Sequence, residues 1–570
     1  MKKITTIILI MLTAMFTITA YAYNFPEPDW GALLSERRSM VTAADFELYV
    51  ESQPENTKHY NGKFEPNAGV YIGMTADTAN NFLPLGSYLT YIESFDQQDL
   101  YYPSNEMILN NDVITMVGWT VNSLDDVNYD SVRRILAQLN SYNKPMFVRF
   151  ANEMNVSAIG NDPDRYVQIF RTVADMVHEY PNLAVVWSPN DIGALDRPFG
   201  YYYPGDEYVD WVGVSCYMTK YFNSNPNTTE NDSIYFMTGD YSWATNQLKP
   251  IIEFMKDNNI NKPVMISEGG VARSNNFGDE YTSWHGPRLR NMLWNVIMKY
   301  PQVKMINYFN INHDYDTEKF QITDYPESVE IFKAAANNGA YLTSASDTPD
   351  FVFSPANDGG TLIADKDGIV NLYTLAYIAG QPDISVNYRI DGQWSHSSNQ
   401  IPYTYKFNIN KISDGIHTLS IDSYGMNKEY TLYKRGQYIS FGKEPDTSLP
   451  NPNAQPDISV LLNGNSLSFE QPPVIIGGRT LVPLRAIFEA MNATVDWNQN
   501  TQTVTSTRGN ITIKLTIGEN TLYKNGQPVT LDVPAQLISD YTMIPVRAVA
   551  EAFGADVKWD GDSRIVTIAE

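Results

Sequence analysis

Seven apolar runs of six to eight residues constrain the first half of this chain more than any other feature. They are "GVYIGM" (69–74), "VITMVGW" (113–119), "PMFVRFAN" (145–152), "LAVVWSPN" (183–190), "WVGVSCY" (211–217), "PVMISEGG" (263–270) and "VKMINYFN" (303–310). Stretches such as "DSVRRILAQLNSY" and "DRYVQIFRTVADMVHEY" lie between them, with apolar residues recurring at spacings of three and four. That period predicts amphipathic helices, and continuous apolar runs predict strands covered on both faces. Strands and helices in alternation imply a parallel sheet. An eighth run is expected near "SYLTYIES" (87–94), although that segment also reads as helix. Eight such units form a (β/α)8 TIM barrel, expected over residues 23–345. An open doubly wound sheet is the alternative, but no Gly-rich phosphate loop follows an early strand.

The pattern changes near residue 346. "VNYRIDGQWSH" and "YKFNINKISDGIHTLSIDSYG" are strand pieces joined by Asp-Gly turns, so 346–443 is expected to form an antiparallel, Ig-like β-sandwich. The Pro- and Asn-rich stretch 444–456 reads as a linker. Residues 457–570 contain a repeat. "TLVPLRAIFEAMNATVDWNQNTQTVT" at 480 aligns with "TMIPVRAVAEAFGADVKWDGDSRIVT" at 542, and "NGNSLSFEQPP" at 463 with "NGQPVTLDVPA" at 525. The offset is 62 throughout, which matches Trp497 to Trp559 and Arg485 to Arg547. Each copy predicts a hairpin, a short helix and a second hairpin, so the fold class is duplicated α+β. Two copies packed together could bury Leu, Val and Trp faces that neither could bury alone. This tail resembles the copper amine oxidase N-terminal-like, or stalk, domain. No His follows His417, so copper is not expected, and the tail reads as a spacer or attachment module for cell-wall material.

Lys2 and Lys3 precede an apolar run ending in Ala-Tyr-Ala at 20–22, the pattern of a secretory signal peptide over residues 1–22. The expected location is extracellular or on the cell surface. With one cysteine, Cys216, no internal disulfide is possible, which for an exported chain points to a bacterium, of Gram-positive type. A formal net charge of −25 argues against nucleic acid, anionic membranes and acidic polymers as partners, and leaves neutral polymers.

Two glutamates carry the candidate chemistry. Glu153 ends "MFVRFANE" and Glu268 ends "KPVMISE", both at the C-terminal ends of expected barrel strands, where barrel active sites are built. Alternation would place Arg149, Ala151 and Glu153 on one face, and Val264, Ile266 and Glu268 on one face of their strand. Two facing carboxylates suit glycosidic bond cleavage, one protonated and donating, the other ionised and attacking. A single Glu at a strand end is commonly only a helix cap; two in this arrangement point to a site.

Residues 66–332 resemble glycoside hydrolase family 26 and, more loosely, clan A. The resemblance lies in "PMFVRFANEMN", "LAVVWSPND", "YYPGDEYVDWVGVSCY", "KPVMISEGG" and "MINYFNINHDYDTEKFQITDYPESVEIFKAA". It implies Glu153 as acid/base and Glu268 as nucleophile of a retaining, endo-acting β-glycan hydrolase with no cofactor or metal. It also implies that Arg149 supports the acid, that Tyr217 hydrogen-bonds the nucleophile, and that Asn152 contacts a sugar 2-hydroxyl. Trp119 and Trp187 are expected to stack on sugar, and His313 to line the cleft. The sequence departs from the family at three places. Asn152 stands where mannanases have His, Val156-Ser157-Ala158 replaces an expected Gly and Trp, and Tyr308-Phe309 replaces a Trp. These changes leave mannan, mixed-linkage glucan, xylan and exopolysaccharide open as substrates. The competing reading is a surface protein that binds glycan without cutting it.

Overall fold

The computed structural model describes residues 44–570, apart from 101–103, 191–196, 221–247, 313–317, 379–383, 450–457 and a few single or paired positions. The expected leader 1–22 and His313 lie outside the described residues. The chain divides into two compact units, one ending at Pro450 and one from Asn451 to Glu570.

In the first unit eight parallel strands close a barrel. They are β2 (Val70–Thr75), β3 (Ser87–Ile92), β4 (Ile114–Trp119), β5 (Met146–Phe150), β6 (Leu183–Trp187), β7 (Trp211–Met218), β8 (Val264–Val271) and β9 (Val303–Tyr308), counting Ala44–Ser52 as β1. Each pairs with the next, and β9 returns to β2 through Met305↔Tyr71 and Asn307↔Gly73. The ambiguous 87–94 segment therefore supplies a strand, β3.

The helices outside follow from local chemistry. Tyr129–Ser141 starts at Asn128, whose side chain accepts from the Ser131 amide, and it buries Val132, Ile135, Leu136 and Leu139. That i, i+3, i+4, i+7 stripe faces the sheet. Pro163–His178 starts at Asp162, whose side chain caps the Arg165 amide, with Pro163 in the first turn. Inside the barrel Leu89, Ile114, Met116, Phe147, Val186, Trp211, Met265 and Met305 fill the lower half. Above this apolar plug the inward positions turn polar, and the site begins there.

Residues 44–52, expected in the barrel segment, belong to the sandwich. β1 pairs antiparallel with Val352–Pro355 and with Ile369–Ile378, in a four-stranded sheet completed by Tyr403–Asn408. Its near-alternating "FELYV" buries Phe46, Leu48 and Val50, so this strand signal was present in the sequence. A six-stranded sheet, from Leu362–Ile363 at one edge to Gln393–Ser398 at the other, packs against it. Barrel and sandwich share one unit and touch, as where Lys299 pairs with Glu47 and Arg290 Nη1 donates to the Ile401 carbonyl at 3.4 Å.

In the second unit the elements repeat with the 62-residue offset. Arg479–Pro483, helix Leu484–Ala490 and Thr494–Asn498 have counterparts in Tyr541–Pro545, helix Val546–Ala552 and Asp556–Asp560. The copies interlock, because Val482 pairs with Ile544 and the first strand, Ser459–Leu462, lies parallel to the last, Ile565–Ala569. The shared core holds Val482, Ile487, Phe488, Ile544 and Val549. Trp497 and Trp559 do not join it; at 39% and 37% exposed they sit on outer hairpins, so the expectation that the Trp faces would be buried is corrected.

Candidate active site

β5 delivers Arg149 into the barrel and then stops. Its guanidinium is fully buried, held by Nε to Ser188 Oγ at 2.9 Å and by Nη2 to the Ser215 hydroxyl. Ser188 in turn bonds Ser267 at 2.8 Å. The small hydroxyl residues above the apolar plug therefore form a cradle for one cation. Beyond Phe150 the backbone leaves strand geometry, with Ala151 at φ 48° and Glu153 at φ 57°. Both are in the left-handed region that non-Gly residues rarely occupy, a conformation that costs energy and persists only where the surroundings fix it. The Glu153 amide is fixed by a bond to the Ser188 carbonyl at 2.8 Å. Its Oε1 accepts from Asn190 Nδ2 at 3.2 Å and lies 3.9 Å from Arg149 Nη2. Asn190 is itself clamped, since its amide donates to Asn155 Oδ1 at 2.8 Å and its carbonyl accepts from Asn155 Nδ2 at 2.7 Å.

Glu268 reaches the same cavity by a different device. Simple alternation would group it with Val264 and Ile266, but those two face outward into the helix layer, while Met265 faces the barrel interior. An extra residue corrects the aim. Val214 pairs with Ile266 and Ser215 with Glu268, so Ser267 is a bulge in β8. A bulge moves everything after it to the other face, and bulges gather next to active sites. Glu268 then meets three donors. Arg149 Nη1 lies 2.7 Å from Oε2, the Tyr91 hydroxyl donates to Oε2 at 3.0 Å, and the Tyr217 hydroxyl donates to Oε1. Gly118 leaves room for the Tyr91 ring; a Cβ there would stand 2.8 Å from Tyr91 Cδ1.

One guanidinium thus lies within ion-pair reach of both carboxylates, and their other partners differ. Burial raises the Glu153 pKa, and the Glu268 charge adds to the rise; Arg149, Ser215 and Asn190 oppose it without cancelling it. Burial, and then the charge on Glu268, hold the Tyr91 and Tyr217 hydroxyls well above the ordinary phenol range, so both stay protonated and donate.

The structure brings Arg149, Glu153, Tyr217 and Glu268 together. Asn152 adjoins them, its buried Oδ1 without a protein partner among the described residues. Trp119 and Trp187 are corrections, for each is 0% exposed and faces the helix layer, not the cleft. Trp119 packs against Phe95 and Phe150, and Trp187 against Phe199, Tyr203 and Phe254. Neither can stack on a sugar. Tyr91, Ser188, Asn190 and Ser215 were missed. Parity with inward Leu89 points at Tyr91, once 87–92 is known to be a strand. No group of three or more His, Cys, Asp or Glu among the described residues could hold a metal ion.

A closed parallel barrel with two partly buried glutamates at its C-terminal mouth is the architecture of barrel glycoside hydrolases. Residues 114–274 match the family model for glycosyl hydrolase family 26, and residues 461–568 match the copper amine oxidase N-terminal domain. The segment matched by the family 26 model is therefore followed along the chain by one matched by the second model. The chain is 23% identical over 285 residues to a β-1,3-xylanase of a Vibrio species, covering 48% of this chain and 52% of that protein. It is 23% identical over 286 residues to endoglucanase H of Acetivibrio thermocellus, covering 47% of this chain and 28% of that protein. The chain thus spans about half the xylanase and a smaller share of the endoglucanase. Among solved structures it is similar to a family 26 β-mannanase from Bacteroides ovatus, with 14% identity, a TM-score of 0.36, and 49% of this chain and 92% of that one covered. A Cellulomonas fimi endo-β-1,4-mannanase gives 14% identity and a TM-score of 0.34, with 67% and 99% covered.

Proposed function

We propose that the barrel hydrolyses internal β-glycosidic bonds of a neutral polysaccharide with retention of configuration. The observation that carries this reading is the contact of Arg149 with both Glu153 and Glu268, whose other partners differ in kind. Glu268, which accepts from two hydroxyls and a guanidinium, is placed to attack the anomeric carbon. Glu153, partly buried with its pKa raised, gives its proton to the departing oxygen. The glycosyl–Glu268 ester is then hydrolysed by water, from which Glu153, now ionised, takes a proton.

The matched relatives are named as β-1,3-xylanases and an endoglucanase, which supports a β-linked xylan or glucan as substrate. Export is part of the proposal, supported by the residue 1–22 pattern, with cell-wall attachment through the C-terminal unit.

New reducing ends should be measured on β-1,3-xylan, β-mannan and mixed-linkage β-glucan, with Glu268→Ala alongside. The expected outcome is release from one polymer, reduced about a thousandfold or more in the variant. Intact polymers throughout, from a folded barrel, would favour a protein that binds without cutting.

A further inference from the structure

We infer that the outer face of the sandwich's six-stranded sheet carries a second glycan-binding site, centred on Trp394 and Arg389. Its ligand is a neutral polysaccharide, and the site stands whether or not the barrel cuts that polymer.

Tyr388 on strand Val386–Ile390 pairs with His396 on the edge strand Gln393–Ser398, and both face inward; His396 stacks on Tyr405, and Tyr388 packs against it. In unbroken register Trp394, two residues from His396, would also point inward. Ser395 is instead a bulge, so Arg389 pairs directly with Trp394, and the indole turns outward, 63% exposed. A β-sandwich has every reason to bury a tryptophan; a bulge that does the reverse re-aims it for something else.

The exposed ring is also fixed in place. Trp394 Nε1 donates to Ser397 Oγ at 3.3 Å, and Ser397 Oγ donates to Asn387 Oδ1 at 2.6 Å. Asn387 Nδ2 donates to Asp422 Oδ1 at 3.1 Å, and Asp422 Oδ2 accepts from Arg389 Nε at 2.8 Å. This chain holds a flat aromatic face beside a guanidinium whose Nη1 and Nη2 have no protein partner among the described residues. An indole face stacks on the C–H face of a pyranose, and a planar pair of N–H donors meets its hydroxyls. Charge selects against acidic polymers. Asp422 already engages the one arginine, Glu429 lies on the same face bonded to Ser420, and the chain carries −25.

The test uses the full chain as Glu268→Ala, which leaves polymers intact, in affinity electrophoresis through laminarin, galactomannan, xylan or barley β-glucan, with alginate as the anionic control. At least one neutral glycan should retard it and alginate should not. Adding Trp394→Ala should weaken binding about tenfold, and Arg389→Ala severalfold. Both side chains are on the surface, and an unchanged melting temperature would show that the variants fold. Hydrolysis of short oligosaccharides by the otherwise unaltered Trp394→Ala protein should match that of the parent, which separates this site from the barrel. Retardation that Trp394→Ala leaves unchanged on every neutral glycan, no retardation by any neutral glycan, or equal retardation by alginate would overturn the proposal.

Discussion

The ends of β5 and β8 place the same residue type in one cavity by opposite means. At β5 the strand simply stops, and two left-handed residues swing Glu153 toward the axis. At β8 the strand continues, and the Ser267 bulge turns Glu268 inward. The surroundings differ as well. Glu153 has the Asn190 amide, the Ser215 hydroxyl and a guanidinium 3.9 Å away, whereas Glu268 has two phenols and the same guanidinium at 2.7 Å. Identical side chains thereby meet different sets of donors, and for Glu153 burial still leaves the pKa raised.

Arg149 is where the comparison breaks most severely. Arg149→Met leaves two partly buried carboxylates facing each other without their cation. We expect a loss of about 3–5 kcal/mol of stability, read by denaturant unfolding. Because Arg149 lowers the Glu153 pKa, its removal should also carry the alkaline limb of kcat/KM to higher pH.

The tyrosines sharpen the Glu268 side. Tyr217 is the donor to Oε1 among the described residues, while Oε2 has both Tyr91 and Arg149. Tyr217→Phe should therefore lower kcat more than Tyr91→Phe, with the larger loss about ten- to a hundredfold. Equal losses would mean that the two oxygens are not distinguished.

Glu153 should show its raised pKa in stability. Its folded pKa lies above the unfolded value, so its contribution is complete at low pH and is lost as pH rises through the folded value. Glu153→Gln should then melt higher than the parent at neutral pH, with the gain fading toward about pH 4, where the parent carboxyl is protonated in both states.

The smallest expected effect is that of Asn190→Ala. It removes a donor that favours the Glu153 anion, so the alkaline limb should move slightly upward with little change in the maximal rate.

The barrel was legible because buried parallel strands are continuous apolar runs, and that property also hid their inner and outer faces. Trp119 and Trp187 end runs that are apolar at nearly every position, and nothing in "VVW" tells which side turns outward. The polar residue that follows, Ser188, was the inward marker, as its bond to Arg149 shows. Parity found Arg149 correctly and failed at Glu268, because a single-residue bulge has no dependable signature in "VMISEGG". The 62-residue repeat was legible throughout, since an interlocked duplicate must keep its spacing, but exposure of Trp497 and Trp559 was not, because a hairpin can present an indole to either side.

The central claim is that Glu268 forms a covalent bond to the sugar while Glu153 serves as the proton donor. Incubation with activated 2-deoxy-2-fluoro glycosides of xylose, glucose and mannose, followed by mass spectrometry of the digested protein, tests this directly. One stable glycosyl adduct is expected, on the peptide containing Glu268. An adduct on Glu153, or turnover of the corresponding substrate with inverted products and no adduct, would contradict it.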